Sequence, residues 1–281
     1  MQMDVAVIGG DLRMAYLAQT LRARGLDARA AALERADLPG LRRMPLAALG
    51  EAEYLVLNAP LQAKLTDETL EMDALLQQAA KGAKLIFAGP GPAPELDAAL
   101  HRVYDLSGDE DFLRRNARLT AEGAVAAAMA ALPDSLADAR CLVIGWGRIG
   151  QALTELLVAI GARVTVASRR EKSRSLALTR SAAAVETAHI ADMLGGMDVV
   201  FSTPPHPVLD ETTLHRANPE ARIIDLASAP YGVDLEAARH LGLNAWREPG
   251  LPGRYCPRSA ARVLADRVLE IIRRERGGLH A

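Results

Sequence analysis

Aromatic side chains make up only 4% of the 281-residue sequence, three Phe, two Trp and five Tyr. That scarcity argues against an all-β core built on large rings, and the abundance of Ala and Leu favours helices and small-residue packing. Cysteine is rarer still: Cys141 and Cys256 are the two present. Two thiols exclude a disulfide framework and a Cys-rich zinc site, so both are expected to be inert and no metal centre is expected. Charge of one sign is also lacking, with 33 Lys and Arg against 35 Asp and Glu. The arginines are interleaved with acids, which removes the basic footprint of a nucleic-acid binder. No apolar run reaches the roughly 20 residues that a membrane span needs. Met1 leads straight into the strand-like "DVAVIGG" without a basic leader, so no signal peptide is expected and the protein reads as cytoplasmic.

What is there is alternation. Short apolar runs and helical patterns succeed one another along the chain, the mark of parallel strands joined by crossover helices. "DVAVIGG", "DARAAAL", "EYLVLNAP", "AKLIFAGP" and "HRVYDLSG" read as strands of a first domain over residues 1–118, with helices at "LRMAYLAQTLRARG" and "TDETLEMDALLQQAAKG". "RLTAEGAVAAAMAALPDSL" reads as a bridging helix within 119–138, capped by Thr120 and stopped by Pro133. A second domain, 139–256, repeats the alternation through "RCLVIG", "ARVTVASR", "AAVET", "DVVFSTPP", "ARIIDLAS" and "NAWREP". Residues 257–281 form an amphipathic helix packing back across the hinge. The expected class is α/β: two tandem Rossmann-like domains, a flavodoxin-like substrate domain and then an NAD(P)-binding one, with a cleft between them.

The second domain carries the clearest motif. Gly145-Trp146-Gly147-Arg148-Ile149-Gly150 is a GxGxxG that follows a strand and opens a helix. In that setting Gly145 permits the tight turn, Gly147 lets the backbone approach a pyrophosphate, and Gly150 allows helix and strand to pack closely. The helix N-terminus offers free N–H groups to the diphosphate, and Arg148 can add charge. An NAD-selective site places Asp or Glu at the end of the next strand, for the ribose 2′-hydroxyl. Here Ser168-Arg169-Arg170 stand instead, a hydroxyl and two guanidinium forks suited to a 2′-phosphate. NADP is therefore the expected cofactor, with NAD the alternative. Two further strand ends complete the expected cofactor wall: Thr203, Pro204 and Pro205, then Asp225, Ala227 and Ser228, with a structural anchor of its own loop the other reading of Asp225. In the first domain Gly9-Gly10-Asp11 lacks a third glycine. Asp11 there either caps the following helix or faces substrate with Arg13.

Taken together, "VIGGDLRM", "LTAEGAVAAAM", "VIGWGRIGQAL", "IIDLASAPYGVD" and "EPGLPGRYCPRSAARVLAD" resemble the A subunits of dipicolinate synthases. The resemblance runs nearly the length of the chain and departs at Tyr231, where it implies a glycine, and at Arg254-Tyr255-Cys256. It implies oxidation of a dihydrodipicolinate-type ring to pyridine-2,6-dicarboxylate with hydride passing to NADP+. It also implies partnership with a flavoprotein-like B subunit, and a sporulation role in the mother cell. A dicarboxylate substrate calls for cations and N–H donors, which Arg13, Arg254 and the turn Gly250-Leu251-Pro252-Gly253 can supply. Glu122 and His206 are the candidate proton acceptors.

Two other readings stay open. A D-2-hydroxyacid dehydrogenase would need a late catalytic His, and after "GLPGRYCP" there is only His280. A nucleotide-binding scaffold or sensor would need no acid or base at all. The bridging and C-terminal helices offer surfaces for a homo-oligomer.

Overall fold

The computed structural model describes residues 3–33, 36, 38–58, 72–88, 102–180 and 182–277. The chain divides into two compact units, Met1–Asn116 with Pro252–Ala281, and Ala117–Leu251.

The first unit opens with β1 (Met3–Ile8), α1 (Leu12–Ala23) and β2 (Ala28–Ala31), and continues through β3 (Ala52–Leu57), α2 (Met72–Gln78), β4 (Lys84–Phe87) and β5 (Arg102–Asp105). Its five strands are all parallel in the order β2-β1-β3-β4-β5, the arrangement of flavodoxin-like sheets. β1 and β3 are apolar almost throughout because a parallel strand is covered on both faces, and Met3, Ile8, Leu55, Leu57 and Phe87 meet in one core. The expected start of α2, at Thr66 or Asp67, lies outside the described residues.

The helix expected to begin near Thr120 begins earlier, as α3 (Glu110–Ala131). Asp109 accepts a hydrogen bond from the Phe112 amide at 2.9 Å, which satisfies a donor of the first turn. Glu110 and Asp111 then complement the helix N-terminus. Thr120 is buried in the middle of α3, and the helix ends two residues short of Pro133.

The second unit holds β6 (Arg140–Ile144), α4 (Arg148–Ile160), β7 (Arg163–Ala167), α5 (Glu171–Leu178), β8 (Ala183–Val185), α6 (Ile190–Leu194), β9 (Val199–Ser202), α7 (Glu211–Leu214), β10 (Arg222–Asp225), α8 (Leu235–His240) and β11 (Asn244–Arg247). Its six parallel strands run β11-β10-β9-β6-β7-β8. The order reverses between β6 and β9, so the crevice where open α/β sheets bind ligands opens at the carboxyl ends of those two strands. The α/β class and the doubly wound sheets expected from the alternation are thus both present. One core packs Leu153 and Leu157 of α4 on Val143, Val166 and Phe201, and another packs Ile144, Val200 and Ile223 under α6 and α8.

The chain closes with α9 (Leu251–Tyr255) and α10 (Pro257–Gly277). Pro257 sits at the first position of α10, where its missing N–H costs nothing. Within the first unit α10 lies along α1, and Asp266 pairs with both Arg24 and Arg115, at 2.6 and 2.8 Å.

At the foot of the second sheet, the Asp198 carboxylate accepts hydrogen bonds from the Arg140 amide and guanidinium at 2.8 to 3.2 Å, tying β6 to β9. The guanidinium holds its carboxyl below the ordinary 3.8, against the opposing effect of burial. A depressed carboxyl stabilises the fold above its unfolded pKa, and that share is lost as pH falls through the folded value. Between pH 5 and pH 3 the thermal midpoint of the wild type should therefore fall more steeply than that of Asp198→Asn, as followed by circular dichroism. Cys141 is fully buried and burial pushes its thiol up to about 12, so a thiol reagent should leave it unlabelled in the native protein and label it after unfolding.

Candidate functional site: a dinucleotide cavity at the switch point

At the reversal between β6 and β9 the second unit encloses a cavity of about 300 Å³. The first turn of the glycine motif forms its floor. Gly145 adopts φ +98°, and a Cβ there would stand 2.4 Å from Thr203 Oγ1. Thr203 is held in place by donating its hydroxyl to the Ile144 carbonyl at 2.8 Å. A Cβ on Gly150 would stand 2.2 Å from the Gly145 carbonyl oxygen, so α4 can approach the turn only because residue 150 has no side chain. Gly147 differs from both. It is the N-cap of α4 with no side-chain cap bond, and a Cβ built on it meets nothing within 4 Å. The space above it is open, and a helix N-terminus facing such a space suits an anion.

The rim comes from the neighbouring strand ends. Ser168, Arg169 and Arg170 follow β7, Ser173 lies in the first turn of α5, and Pro204, Pro205, His206 and Val208 follow β9. Arg174 shapes the β7 rim by donating to the Ser168 and Arg169 carbonyls at 2.8 and 2.9 Å. This fixes the loop through its backbone and leaves the side chains of Arg169 and Arg170 exposed, with no carboxylate paired to either among the described residues. Trp146 lines the cavity too, and its buried Nε1 has no hydrogen-bond partner among the described residues. The lining contains two arginines, a histidine and several hydroxyls, and neither Asp nor Glu. An open backbone cradle, a helix N-terminus, unpaired cations and a spare indole donor together suit a phosphorylated dinucleotide.

Nine of the residues expected from the sequence as cofactor ligands line this single cavity: Gly145, Trp146 and Gly147, Ser168 to Arg170, and Thr203 to Pro205. His206, expected as a proton acceptor, lines it with them. Arg148 and Ile149 enter α4 just beyond the lining, and Gly150 packs beneath it. Asp225, at the end of β10, and Ala227 and Ser228 just after it lie outside the lining. The fully buried Asp225 carboxylate accepts hydrogen bonds from the amides of Ala227, Gly232 and Val233 at 3.1 to 3.4 Å, so it anchors its own loop. Gly232 in that loop is obligatory, because a Cβ would stand 2.0 Å from Ser202 Oγ.

Glu122 sits in the interior of α3, away from the cavity lining and too far along the helix to serve its N-terminus. Asp11 caps α1, accepting from the Arg13 amide at 2.9 Å, and also binds the Arg13 guanidinium at 2.7 to 2.9 Å. Gly253 faces that same carboxylate: a Cβ would stand 2.2 Å from Asp11 Oδ2. The anion that meets this end of the Gly250–Gly253 turn is therefore the chain's own. Leu251, Pro252 and Gly253 are buried, while Gly250, at φ +66°, and Arg254 are exposed. Sequence reasoning missed Ser173, Thr187 and Arg174. Ser173 and Arg174 had a signal, since an α5 starting just after Arg170 places both beside the arginine pair; Thr187 had none.

These features are those of an NAD(P)-binding domain. Residues 111–237 match the NAD-binding domain of the D-isomer specific 2-hydroxyacid dehydrogenases. The cofactor of this domain is accordingly NAD or NADP. More particularly, the chain is similar to the A subunit of dipicolinate synthase from Bacillus subtilis, with 28% identity over 168 residues, 60% of this chain and 57% of that protein. The aligned stretch thus spans little more than half of that relative. The folds agree over more: the crystal structure of the dipicolinate synthase A subunit from Bacillus halodurans has a TM-score of 0.81 at 22% identity, covering 96% of this chain and 98% of that one. The crystal structure of its Bacillus subtilis counterpart gives 0.80 at 21% identity, over 99% and 98%. The resemblance read from "LTAEG", "VIGWGRIGQAL" and "GLPGRYCP" is borne out. Among the described residues no helix is long and apolar enough to cross a membrane, and no group of three or more His, Cys, Asp or Glu could hold a metal.

Two of the motif glycines should respond differently to alanine. Gly150→Ala should lower the thermal midpoint by several degrees, since its Cβ meets backbone. Gly147→Ala should leave the midpoint within about a degree and yet weaken dinucleotide binding by more than tenfold, measured by calorimetry, because its Cβ would fill the cradle.

Proposed function

We propose that this chain is an NADP-dependent oxidoreductase that oxidises a dihydropyridine dicarboxylate, or its hydrated tetrahydro precursor, to pyridine-2,6-dicarboxylate. The observation that carries the reading is a dinucleotide cavity with two unpaired arginines and no acid, in a chain similar to the A subunit of dipicolinate synthase. A carboxylate at residue 168, 169 or 170 would repel a 2′-phosphate, whereas Ser168, Arg169 and Arg170 offer a hydroxyl and two planar forks of donors. NADP+ supplies the hydride acceptor.

The protein's share is binding and orientation. Aromatisation of the ring is strongly downhill, so placing its C–H against the nicotinamide and taking up one proton are the main demands. The amides at the start of α4 and the open face of Gly147 hold the diphosphate, and Trp146 Nε1 supplies a further donor. His206, on the cavity wall, contacts the nucleotide in this reading; Glu122 remains the proton acceptor proposed from the sequence. Asp11, Arg13 and Arg254 with the Gly250–Gly253 turn remain the proposed substrate-side groups. Partnership with a B subunit, and a mother-cell setting during sporulation, are what the similarity suggests.

Two measurements test this. When aspartate semialdehyde, pyruvate and a dihydrodipicolinate synthase are supplied with NADP+, NADPH should appear together with the ultraviolet bands of dipicolinate. Absence of both signals, with and without a B subunit, would sink the substrate reading. Arg169→Ala should weaken NADP binding about tenfold or more and NAD binding less than twofold, and equal losses would refute the 2′-phosphate assignment. Binding is conveniently followed through Trp146, whose fluorescence should be quenched by NADP in the wild type but not in Trp146→Phe.

A further inference from the structure

Arg247 ends β11 and is paired in register with Asp225, the last residue of β10. Both lie at the carboxyl end of the sheet, Arg247 two strands and so roughly 10 Å from β9, whose following loop walls the dinucleotide cavity. The guanidinium lies 3.4 Å from the centroid of the Tyr231 ring, a close cation–π stack. Tyr231 holds that ring in place from a left-handed backbone, φ +70°, that side-chain-bearing residues seldom adopt.

Three details separate this arginine from an ordinary surface ion pair. Its Nε is buried without a hydrogen bond and lies 3.5 Å from Asp225 Oδ2. Asp225 already takes hydrogen bonds from three backbone amides, so it holds the arginine by charge without consuming its donors. No hydrogen bond among the described residues engages Nη1 or Nη2, although the side chain is 31% exposed. The result is a guanidinium with its stem end buried, one face covered by a ring and its terminal fork left over.

We propose that Arg247 binds a carboxylate of the substrate through its terminal nitrogens, beside the dinucleotide. The proposal rests on the oxidoreductase reading above and narrows its substrate to carboxylate-bearing molecules. A planar fork meets a carboxylate through two parallel hydrogen bonds, and the Tyr231 stack fixes its orientation before binding. The strand ends are also where the ligand of a doubly wound sheet binds.

Calorimetry on the NADP-saturated protein tests this with three probes: pyridine-2,6-dicarboxylate, glutarate, and the neutral pyridine-2,6-dicarboxamide. The wild type should bind at least one dicarboxylate and bind the diamide far more weakly. Arg247→Gln should lose roughly ten- to a hundredfold in dicarboxylate affinity while NADP affinity stays within twofold. Arg247→Lys keeps the charge opposite Asp225 and should keep the thermal midpoint, yet lose at least fivefold for dicarboxylate because the fork is gone. It decides the matter should the glutamine variant be unstable. Dicarboxylate affinity unchanged in the lysine and glutamine variants, or no dicarboxylate binding by the wild type, overturns the proposal. Glutarate binding that depends on Arg247, without binding of the pyridine probe, upholds Arg247 and removes the pyridine ring from the function. Pyridine-2,6-dicarboxylate binding that ignores Arg247 does the reverse.

Discussion

The cofactor site depends on how closely α4 comes to the turn after β6. Gly150 lies against the Gly145 carbonyl with no room for a methyl group, and Gly145 lies as tightly against the Thr203 hydroxyl. That double contact joins the ends of β6 and β9 at the strand-order reversal and aims the first turn of α4 into the space between them. With α4 so placed, its N-terminus and the bare face of Gly147 form a cradle whose shape is set by the backbone. In the proposed reading, affinity for the diphosphate is then a property of backbone geometry. The side chains around the rim are left to decide which dinucleotide is taken.

A similar division of labour recurs at the end of β10. Asp225 is fully buried, and a buried carboxyl is costly unless it is paired and hydrogen-bonded. Three amides of its own loop meet that demand, and Arg247 adds a counter-charge. The loop is thereby closed over Ser202, and Tyr231 is forced into a conformation that brings its ring onto the arginine. A carboxylate that reads in the sequence as a candidate cofactor ligand is an internal brace, and what it braces is a guanidinium that periodicity gave no reason to single out.

Much of this was legible beforehand, for identifiable reasons. Parallel strands covered on both faces must be continuous apolar runs, so "DVAVIG" and "CLVIG" announce themselves, and the GxGxxG between a strand and a helix leaves little freedom in where the phosphates go. Ser168-Arg169-Arg170 stand out by chemistry alone. Contacts that form only on folding were not legible. The start of α3 was misplaced because Asp109 and the acidic first turn were outweighed by the alanine-rich run after Thr120. The approach of Gly253 to Asp11 joins opposite ends of the chain, and no local pattern records it. Arg247 looked like one arginine among many because its significance lies in what is stacked on it and in which of its nitrogens are left over.

The Arg174 clamp carries a consequence beyond the present cofactor. It grips the loop after β7 by the carbonyls of residues 168 and 169, which every amino acid possesses. The shape of that loop is therefore indifferent to what its side chains are. On the NADP reading proposed above, exchanging Arg169 and Arg170 for acids would trade one coenzyme for the other without disturbing the frame beneath them. On that reading coenzyme preference is a replaceable fitting, open to drift or to redesign, mounted on a scaffold that stays the same.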